Sequence, residues 1–219
     1  MRDFIAWRRR FQVDMLLDHD FMGKEDVIRE FMPTGWHEVD RNGRPLFFIN
    51  AGQIKLNELM TQTTPETVTK FIIRELEHTW REKFDQIKDK LNLPPIDQIR
   101  IVVDLRGATL KQITNKQLNL IWKEICKELG KRFPEFVHSI TVVNTPMFFE
   151  NYYNQLQGWF SERTRAKIFI TGESAPQCLL DAVEPERLPA IYGGQCNCSA
   201  QCVYSDKGPW TDVLNVIDF

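Results

Sequence analysis

Residues 99–107 read IRIVVDLRG, and they give the first strong indication of the architecture. The first five are mostly β-branched, which favours a strand, and the last four have the composition of a turn. Apolar residues then recur at helical spacing through residues 118–129, and a second β-branched run occupies residues 140–144. A strand, a helix and another strand in this order predict a crossover connection and parallel strands.

The same alternation extends toward both ends of the chain. The turn sequence Asp-Arg-Asn-Gly at 40–43 precedes the apolar run 46–49, which is a candidate for a buried strand. Thr64 caps a helical pattern that continues to Leu91, and residues 167–171 form a further strand candidate. We therefore predict an α/β fold with a mixed, largely parallel sheet flanked by helices.

The composition predicts one globular domain. The chain has 219 residues, of which 42% are hydrophobic and 26% charged, and this is enough apolar material for one sizeable core. Residues 1–31 show an amphipathic helical pattern that is broken near residues 18–20 and ended by Pro33 and Gly35. We therefore divide the chain into a helical lead-in, residues 1–35, and the main domain, residues 36–219.

The charge balance argues against nucleic acid as a partner. The formal net charge is -2 and the sequence pI is about 6.1, so no global positive field attracts polyanions. The charged residues among the first ten leave no room for a signal peptide, and no run reaches the roughly 20 apolar residues of a membrane span. We expect a cytosolic protein that contacts membranes peripherally and transiently.

The common motifs of enzymes are missing from the sequence. It contains no GxSxG elbow, no GxxxxGK[ST] phosphate loop, no GxGxxG fingerprint and no HExxH zinc motif. The four histidines are scattered along the chain, and none supports a catalytic triad. We expect a protein that is not an enzyme and that uses no cofactor.

The five cysteines lie at positions 126, 178, 196, 198 and 202. A chain without an export signal keeps such thiols reduced, so we assign no disulfides. The last three lie close enough together to hold a metal ion, but a zinc site has four ligands and the sequence offers no obvious fourth. We expect structural thiols and no metal.

Residues 146–163, PMFFENYYNQLQGWFSER, place an unusually aromatic stripe in about four turns of helix. The members of the stripe are Phe148, Phe149, Tyr152, Tyr153, Leu156, Trp159 and Phe160. Two interpretations remain open from the pattern alone. The stretch is an ordinary core helix, or it is a mobile lid whose Tyr and Trp residues suit a membrane interface.

The order of short motifs along nearly the whole chain resembles the CRAL-TRIO lipid-binding family, most closely its phosphatidylinositol/phosphatidylcholine transfer branch. The motifs are Trp7-Arg8 with Phe11 and Asp14, DRNGRP at 40–45, VDLRG at 103–107, Phe133-Pro134-Glu135, VNTP at 143–146, Thr164 with Lys167-Ile168-Phe169, Leu188-Pro189, Tyr192-Gly193-Gly194 and SDKGPW at 205–210. Each motif is weak alone, but so many in the same order are specific.

The resemblance implies a sheet that forms the floor of a hydrophobic lipid pocket, and a gate helix that corresponds to the aromatic stretch 148–160. It also implies that residues 1–35 are a remnant of a helical region that precedes the lipid domain in the family. The implied phosphoinositide headgroup residues are Arg8, Glu135, Thr164 and Lys167. The implied lipid-pocket residues are Phe47, Thr109 and Phe169.

By resemblance, the function is to bind a phospholipid, most of all phosphatidylinositol with phosphatidylcholine as a second ligand. The protein would exchange it between membranes or present it to lipid-modifying enzymes. A lysine and an arginine can neutralise a phosphodiester, and hydroxyl and carboxylate groups can hydrogen-bond inositol hydroxyls. Two alternatives remain open: the same fold with another hydrophobic ligand, such as a tocopherol, retinoid or sterol, and a membrane-associated regulatory or scaffold module.

Overall fold

A five-stranded sheet forms the centre of the computed structural model, which describes residues 2–17, 21, 23–133, 135–199 and 201–211. The strands are β1 Thr34–Val39, β2 Pro45–Ile49, β3 Ile99–Asp104, β4 Val137–Val143 and β5 Ile168–Ile170, and they lie in the order β1-β2-β3-β4-β5. The pair β1–β2 is antiparallel and the other three pairs are parallel. The predicted α/β class with a largely parallel sheet is therefore confirmed.

Helices precede β1, fill the connections between the parallel strands and follow β5. They are α1 Arg2–Phe11, α2 Lys24–Phe31, α3 Leu56–Gln62, α4 Pro65–His78, α5 Phe84–Leu91, α6 Leu110–Ile113, α7 Lys116–Arg132, α8 Phe149–Leu156, α9 Glu162–Arg165 and α10 Gln177–Leu180. A π-helical turn, Thr79–Lys83, joins α4 to α5, so the helix predicted from Thr64 to Leu91 has no break. Thr64 caps α4 as predicted, because its hydroxyl accepts a hydrogen bond from the Thr67 amide at 3.2 Å.

The N-terminal lead-in packs on the same core as the sheet. The helices α1 and α2 lie within residues 1–31, as the pattern predicted, and Trp7, Phe11 and Ile28 belong to the main buried cluster. The break predicted near Asp18 to Asp20 lies outside the described residues. The lead-in is therefore continuous with the hydrophobic core and does not form a core of its own.

The edge strand β1 was not predicted, because Pro33 and Gly35 were taken to end the lead-in. Gly35 is nevertheless a strand residue, and a Cβ at this position would lie 2.0 Å from the backbone oxygen of Val203. The glycine therefore allows the C-terminal segment to pack directly on β1. The strand also begins two residues before position 36, where the sequence placed the start of the main domain.

The two faces of the sheet carry separate clusters of buried side chains. Phe47 and Ile101 point to the face that is covered by the helices, whereas Phe48 and Val102 point to the face that is covered by the C-terminal segment. Alternate residues along a strand point to opposite faces, so neighbouring parallel strands in register present matching rows. We call these the helix face and the C-terminal face.

Candidate functional site

Helix α8, which lies in the stretch predicted to be the gate helix, packs against the helix face of the sheet. Phe149 and Tyr152 of this helix are buried in one cluster of side chains. The other buried members are Leu105, Ile113 and the β4 residue Val142. The Tyr152 hydroxyl donates a hydrogen bond to the side-chain oxygen of Asn119 on α7. These two members of the aromatic stripe therefore contribute to the core, as expected for an ordinary core helix.

The rest of the stripe is less enclosed. Its other members, Phe148, Tyr153, Leu156, Trp159 and Phe160, are only partly buried. Met147, directly before the helix, is 99% exposed. Phe148, Tyr153 and Leu156 also pack against the buried cluster, whereas Trp159 and Phe160 lie beyond the end of α8. The structure thus shows a helix that is docked on the sheet and flanked by partly exposed apolar side chains.

Two of the four predicted headgroup residues contact each other, and a third lies close by. The Lys167 ammonium lies 3.2 Å from Oε2 of Glu135 and donates to the backbone oxygen of Val137 at 2.7 Å. Arg163 binds the other oxygen of Glu135, at 2.8 Å. Thr164 lies in α9, and its backbone oxygen accepts from the Lys167 amide at 3.0 Å. Two cations therefore flank one carboxylate at the start of β5.

The fourth predicted headgroup residue, Arg8, is engaged elsewhere. Its guanidinium lies 2.8 Å from Glu77 and 2.5 Å from Asp14. The preceding residue, Trp7, packs edge-on against Phe133 with ring centroids 6.2 Å apart. Helix α1 therefore lies beside the loop that leads to Glu135, but the charge of Arg8 is directed to two acidic side chains. Its role at a headgroup stays a prediction.

The three predicted pocket residues occupy different environments. Phe47 is buried on the helix face, with its ring centroid 4.6 Å from that of Trp36. Thr109 is exposed and caps α6 by accepting a hydrogen bond from the Gln112 amide at 3.2 Å. Phe169 is 52% exposed and pairs with Thr141.

The register of β5 determines which of its residues face the gate helix. Directly paired residues of parallel strands point to the same face, and Phe169 pairs with Thr141, so both belong to the C-terminal face. Ile168 pairs with Ile140 and Ile170 with Val142, so these two isoleucines share the face that α8 covers. The sequence shows that Ile168 and Ile170 share one face of β5, but only the pairing with β4 shows which face that is.

A buried polar network at the carboxyl ends of the strands was missed by sequence reasoning. Oδ1 of Asp104 accepts from the Asn144 side chain and Oδ2 accepts from the Tyr192 hydroxyl, at 2.8 and 3.0 Å. Tyr192 is fully buried, and burial, with the Asp104 charge as the second cause, raises the pKa of its hydroxyl. The network ties β3 and β4 to the segment that covers the C-terminal face.

A cavity of about 390 Å³ lies between the N-terminal helices and β1. Its lining includes the charged side chains of Glu25, Arg29, Arg74, Glu75 and Lys83. Pockets for apolar ligands are lined mainly by hydrophobic and aromatic side chains. This cavity therefore does not suit acyl chains, and the apolar surface under α8 is the better candidate.

A comparison with known protein families shows to which family the chain belongs. A model of the CRAL/TRIO domain matches residues 30–194, which is most of the chain. The protein belongs to the CRAL/TRIO domain family. This CRAL/TRIO chain also shares its fold with the protein in the solved structure titled "Crystal structure of Sfh5": the TM-score is 0.62 at 16% identity, over 81% of this chain and 61% of that one. The recognition from short motifs is confirmed.

Relatives of this CRAL/TRIO chain carry names of transfer proteins. It is 30% and 32% identical to the phosphatidylinositol/phosphatidylcholine transfer proteins SFH7 and SFH4 of Arabidopsis thaliana, each over 96% of its length. It is 29% identical to the Sec14 cytosolic factor of Schizosaccharomyces pombe, over 93% of its length and 70% of that protein. The chain spans 38% and 34% of the two Arabidopsis proteins. Within the described residues, no helix is both long and apolar enough to cross a bilayer.

Proposed function

We propose that this CRAL/TRIO domain binds one phospholipid, phosphatidylinositol in the first place, and exchanges it with membranes without breaking any covalent bond. The names of its relatives support phosphatidylinositol and phosphatidylcholine as ligands. In this proposal the protein works in the cytosol and touches a membrane surface only during exchange. The name of the Schizosaccharomyces pombe relative, Sec14 cytosolic factor, supports that location.

The observation that carries the proposal is a pair of cations at the edge of an apolar surface. Lys167 lies one residue before Ile168, whose side chain packs in the cluster under α8. A phospholipid has the same arrangement, with a charged phosphate directly attached to apolar chains. With its phosphate at Lys167 and Arg163, the lipid would direct its acyl chains under the gate helix.

The acyl chains would occupy the space that the buried side chains of α8 fill in this structure. The side chains under this helix come from β3 and the residue that follows it, from β4 and β5, and from α6. The buried ones are the apolar side chains of Leu105, Ile113 and Val142. Burial of each methylene group contributes about 0.8 kcal/mol, but the bilayer supplies nearly the same environment. The free energy of exchange is therefore close to balance, so the displaced aromatic side chains of α8 need a new contact at the membrane surface.

The test begins with the lipid that co-purifies with the full chain. The protein is expressed, purified and extracted with organic solvent, and the extracted lipid is identified by mass spectrometry. Transfer of labelled phosphatidylinositol between vesicles is then measured. The extracted lipid and the transferred lipid are both analysed for hydrolysis. We expect intact phosphatidylinositol in both experiments.

Three results would contradict the proposal. Recovery of a tocopherol, retinoid or sterol in place of a phospholipid would favour the same fold with a different ligand. Release of lysolipid or inositol phosphate during transfer would show an enzymatic activity. Failure to extract or transfer any lipid would favour a regulatory or scaffold module.

A further inference from the structure

Four side chains with metal-binding atoms converge on the C-terminal face of the sheet. They are His37 of β1 and Cys196, Cys198 and Cys202 of the C-terminal segment, and their ligand atoms all lie within 4.8 Å of one another. The sulfur atoms of Cys196 and Cys198 are 3.7 Å apart. Two thiolates on one tetrahedral zinc ion, each about 2.3 Å from the metal, are separated by about 3.8 Å. The observed distance matches that separation, so the two sulfur atoms could bind one zinc ion without moving, and it is far too long for a disulfide.

The hydrogen bonds of His37 bear on which ring nitrogen carries the proton. Nδ1 lies 2.8 Å from the hydroxyl oxygen of Ser205, and that hydroxyl donates its own proton to the backbone oxygen of Cys202. The hydroxyl oxygen is then free to accept the Nδ1 proton, and in that tautomer Nε2 is unprotonated. His37 is fully buried, and among the described residues Nε2 has no hydrogen-bond partner. A buried nitrogen lone pair without a partner requires an explanation, and a metal ion supplies one.

The ammonium group of Lys207 lies beside the cluster, where it would offset the negative charge of a zinc-loaded site. Three thiolates and one Zn²⁺ carry a net charge of -1 on a partly buried surface. The Lys207 ammonium lies 3.7 Å from the sulfur of Cys196 and also 3.2 Å from Glu38. A donor to a ligating sulfur and a hydroxyl that fixes the histidine tautomer are the outer-shell contacts that metal sites use.

We propose that His37, Cys196, Cys198 and Cys202 bind one structural Zn²⁺ ion in a closed tetrahedral site. All four positions are filled by protein atoms, as in structural rather than catalytic zinc sites. The fourth ligand, which the cysteine spacing alone did not reveal, comes from a strand 159 residues before Cys196.

The site would fasten the C-terminal segment to the edge of the sheet. The backbone oxygen of Val203 contacts Gly35, and the amide of Glu38 donates to the backbone oxygen of Lys207 at 2.6 Å. These contacts cover β1, whose residues are all buried although it is an edge strand. A zinc ion between β1 and the cysteine loop would therefore stabilise the covering segment against local opening.

The experiment measures metal content and stability of the full chain. Protein purified without added metal is analysed by inductively coupled plasma mass spectrometry, and we expect one zinc per chain after dialysis. Replacement of zinc by Co²⁺ should give the intense visible bands of tetrahedral cobalt together with a sulfur-to-metal charge-transfer band. Removal of the metal with 1,10-phenanthroline should lower Tm by about 5–15 °C, and added Zn²⁺ but not Mg²⁺ should restore it.

Variants separate the site from the other thiols. Cys198→Ser and His37→Gln should lose stoichiometric zinc, whereas the matched control Cys178→Ser, an exposed cysteine away from the cluster, should retain it. If the ligand variants do not fold, the chelation and cobalt experiments on the wild-type chain decide alone. Wild-type protein without stoichiometric zinc and without a tetrahedral cobalt spectrum would overturn the proposal. A disulfide between two of the three cysteines in freshly purified protein would also overturn it.

Discussion

The replacement Lys167→Ala tests the proposed headgroup site most directly. The ammonium group makes two contacts, one with the Glu135 carboxylate at 3.2 Å and one with the backbone oxygen of Val137 at 2.7 Å. Its side chain is 23% exposed, so one side of the ammonium remains accessible to a ligand. A bound phosphate would take the place of Glu135 while the bond to Val137 remained.

The expected loss of affinity follows from these contacts. A hydrogen bond between an ammonium and a phosphate contributes about 1.5–3 kcal/mol. The ion pair that it replaces involves Glu135, which is 43% exposed, and such a surface pair contributes about 0–1 kcal/mol. The difference is roughly 0.5–3 kcal/mol, so Lys167→Ala should weaken phosphatidylinositol binding by about 2- to 150-fold.

The assay compares two lipids and three proteins. Binding and vesicle transfer of phosphatidylinositol and of an apolar ligand without phosphate are measured for the wild type, for Lys167→Ala and for the matched control Lys88→Ala. Lys88 is an exposed lysine on α5, so its replacement should change neither ligand. Both variants should melt within a few degrees of the wild type.

Two outcomes would refute the headgroup assignment. Unchanged binding of phosphatidylinositol by Lys167→Ala would show that the ammonium does not contact the phosphate. An equal loss of both ligands would show that Lys167 supports the fold near β5 and not the headgroup. Loss of phosphatidylinositol alone, with the control unchanged, is the result that the geometry predicts.

Two further predictions concern the gate helix and the polar network. Met147→Asp should slow lipid exchange with no change in Tm, because this side chain is 99% exposed and an anion there opposes contact with the membrane interface; equal vesicle-transfer rates for Met147→Asp and Met147→Leu would contradict this. Tyr192→Phe should lower the free energy of unfolding in urea by about 2 kcal/mol, because it removes the buried hydrogen bond to Asp104; an unchanged urea midpoint would show that the bond contributes nothing net.

Several elements were predictable because their signal is local. The β-branched and apolar runs within 46–49, 99–103, 140–144 and 167–171 each contain the greater part of a strand, and the capping residue Thr64 begins α4. The aromatic stretch contains α8, and its two buried members, Phe149 and Tyr152, are three residues apart, which places them on the same face of the helix. Local periodicity and capping are sufficient in these cases.

The candidate sites were only partly predictable, because they depend on contacts between distant residues. Glu135 and Lys167 were expected in one site by resemblance, and the structure brings them together, whereas it pairs Arg8 with Glu77 and Asp14. Phe169 was expected in the pocket; the strand register places it on the C-terminal face, and its contact with a lipid stays a prediction. A register is determined by pairing with a neighbouring strand, so a short strand such as β5 does not reveal it.

The sequence by itself determined the α/β class, the family and the position of most helices and strands, because these follow from periodicity, turn residues and the order of motifs. The tertiary structure alone decided that Gly35 and His37 belong to an edge strand and that His37 joins three cysteines far along the chain. It also decided which side of α8 is buried. These features arise from chain segments that meet only after folding, and no local pattern encodes which distant side chain will be the partner.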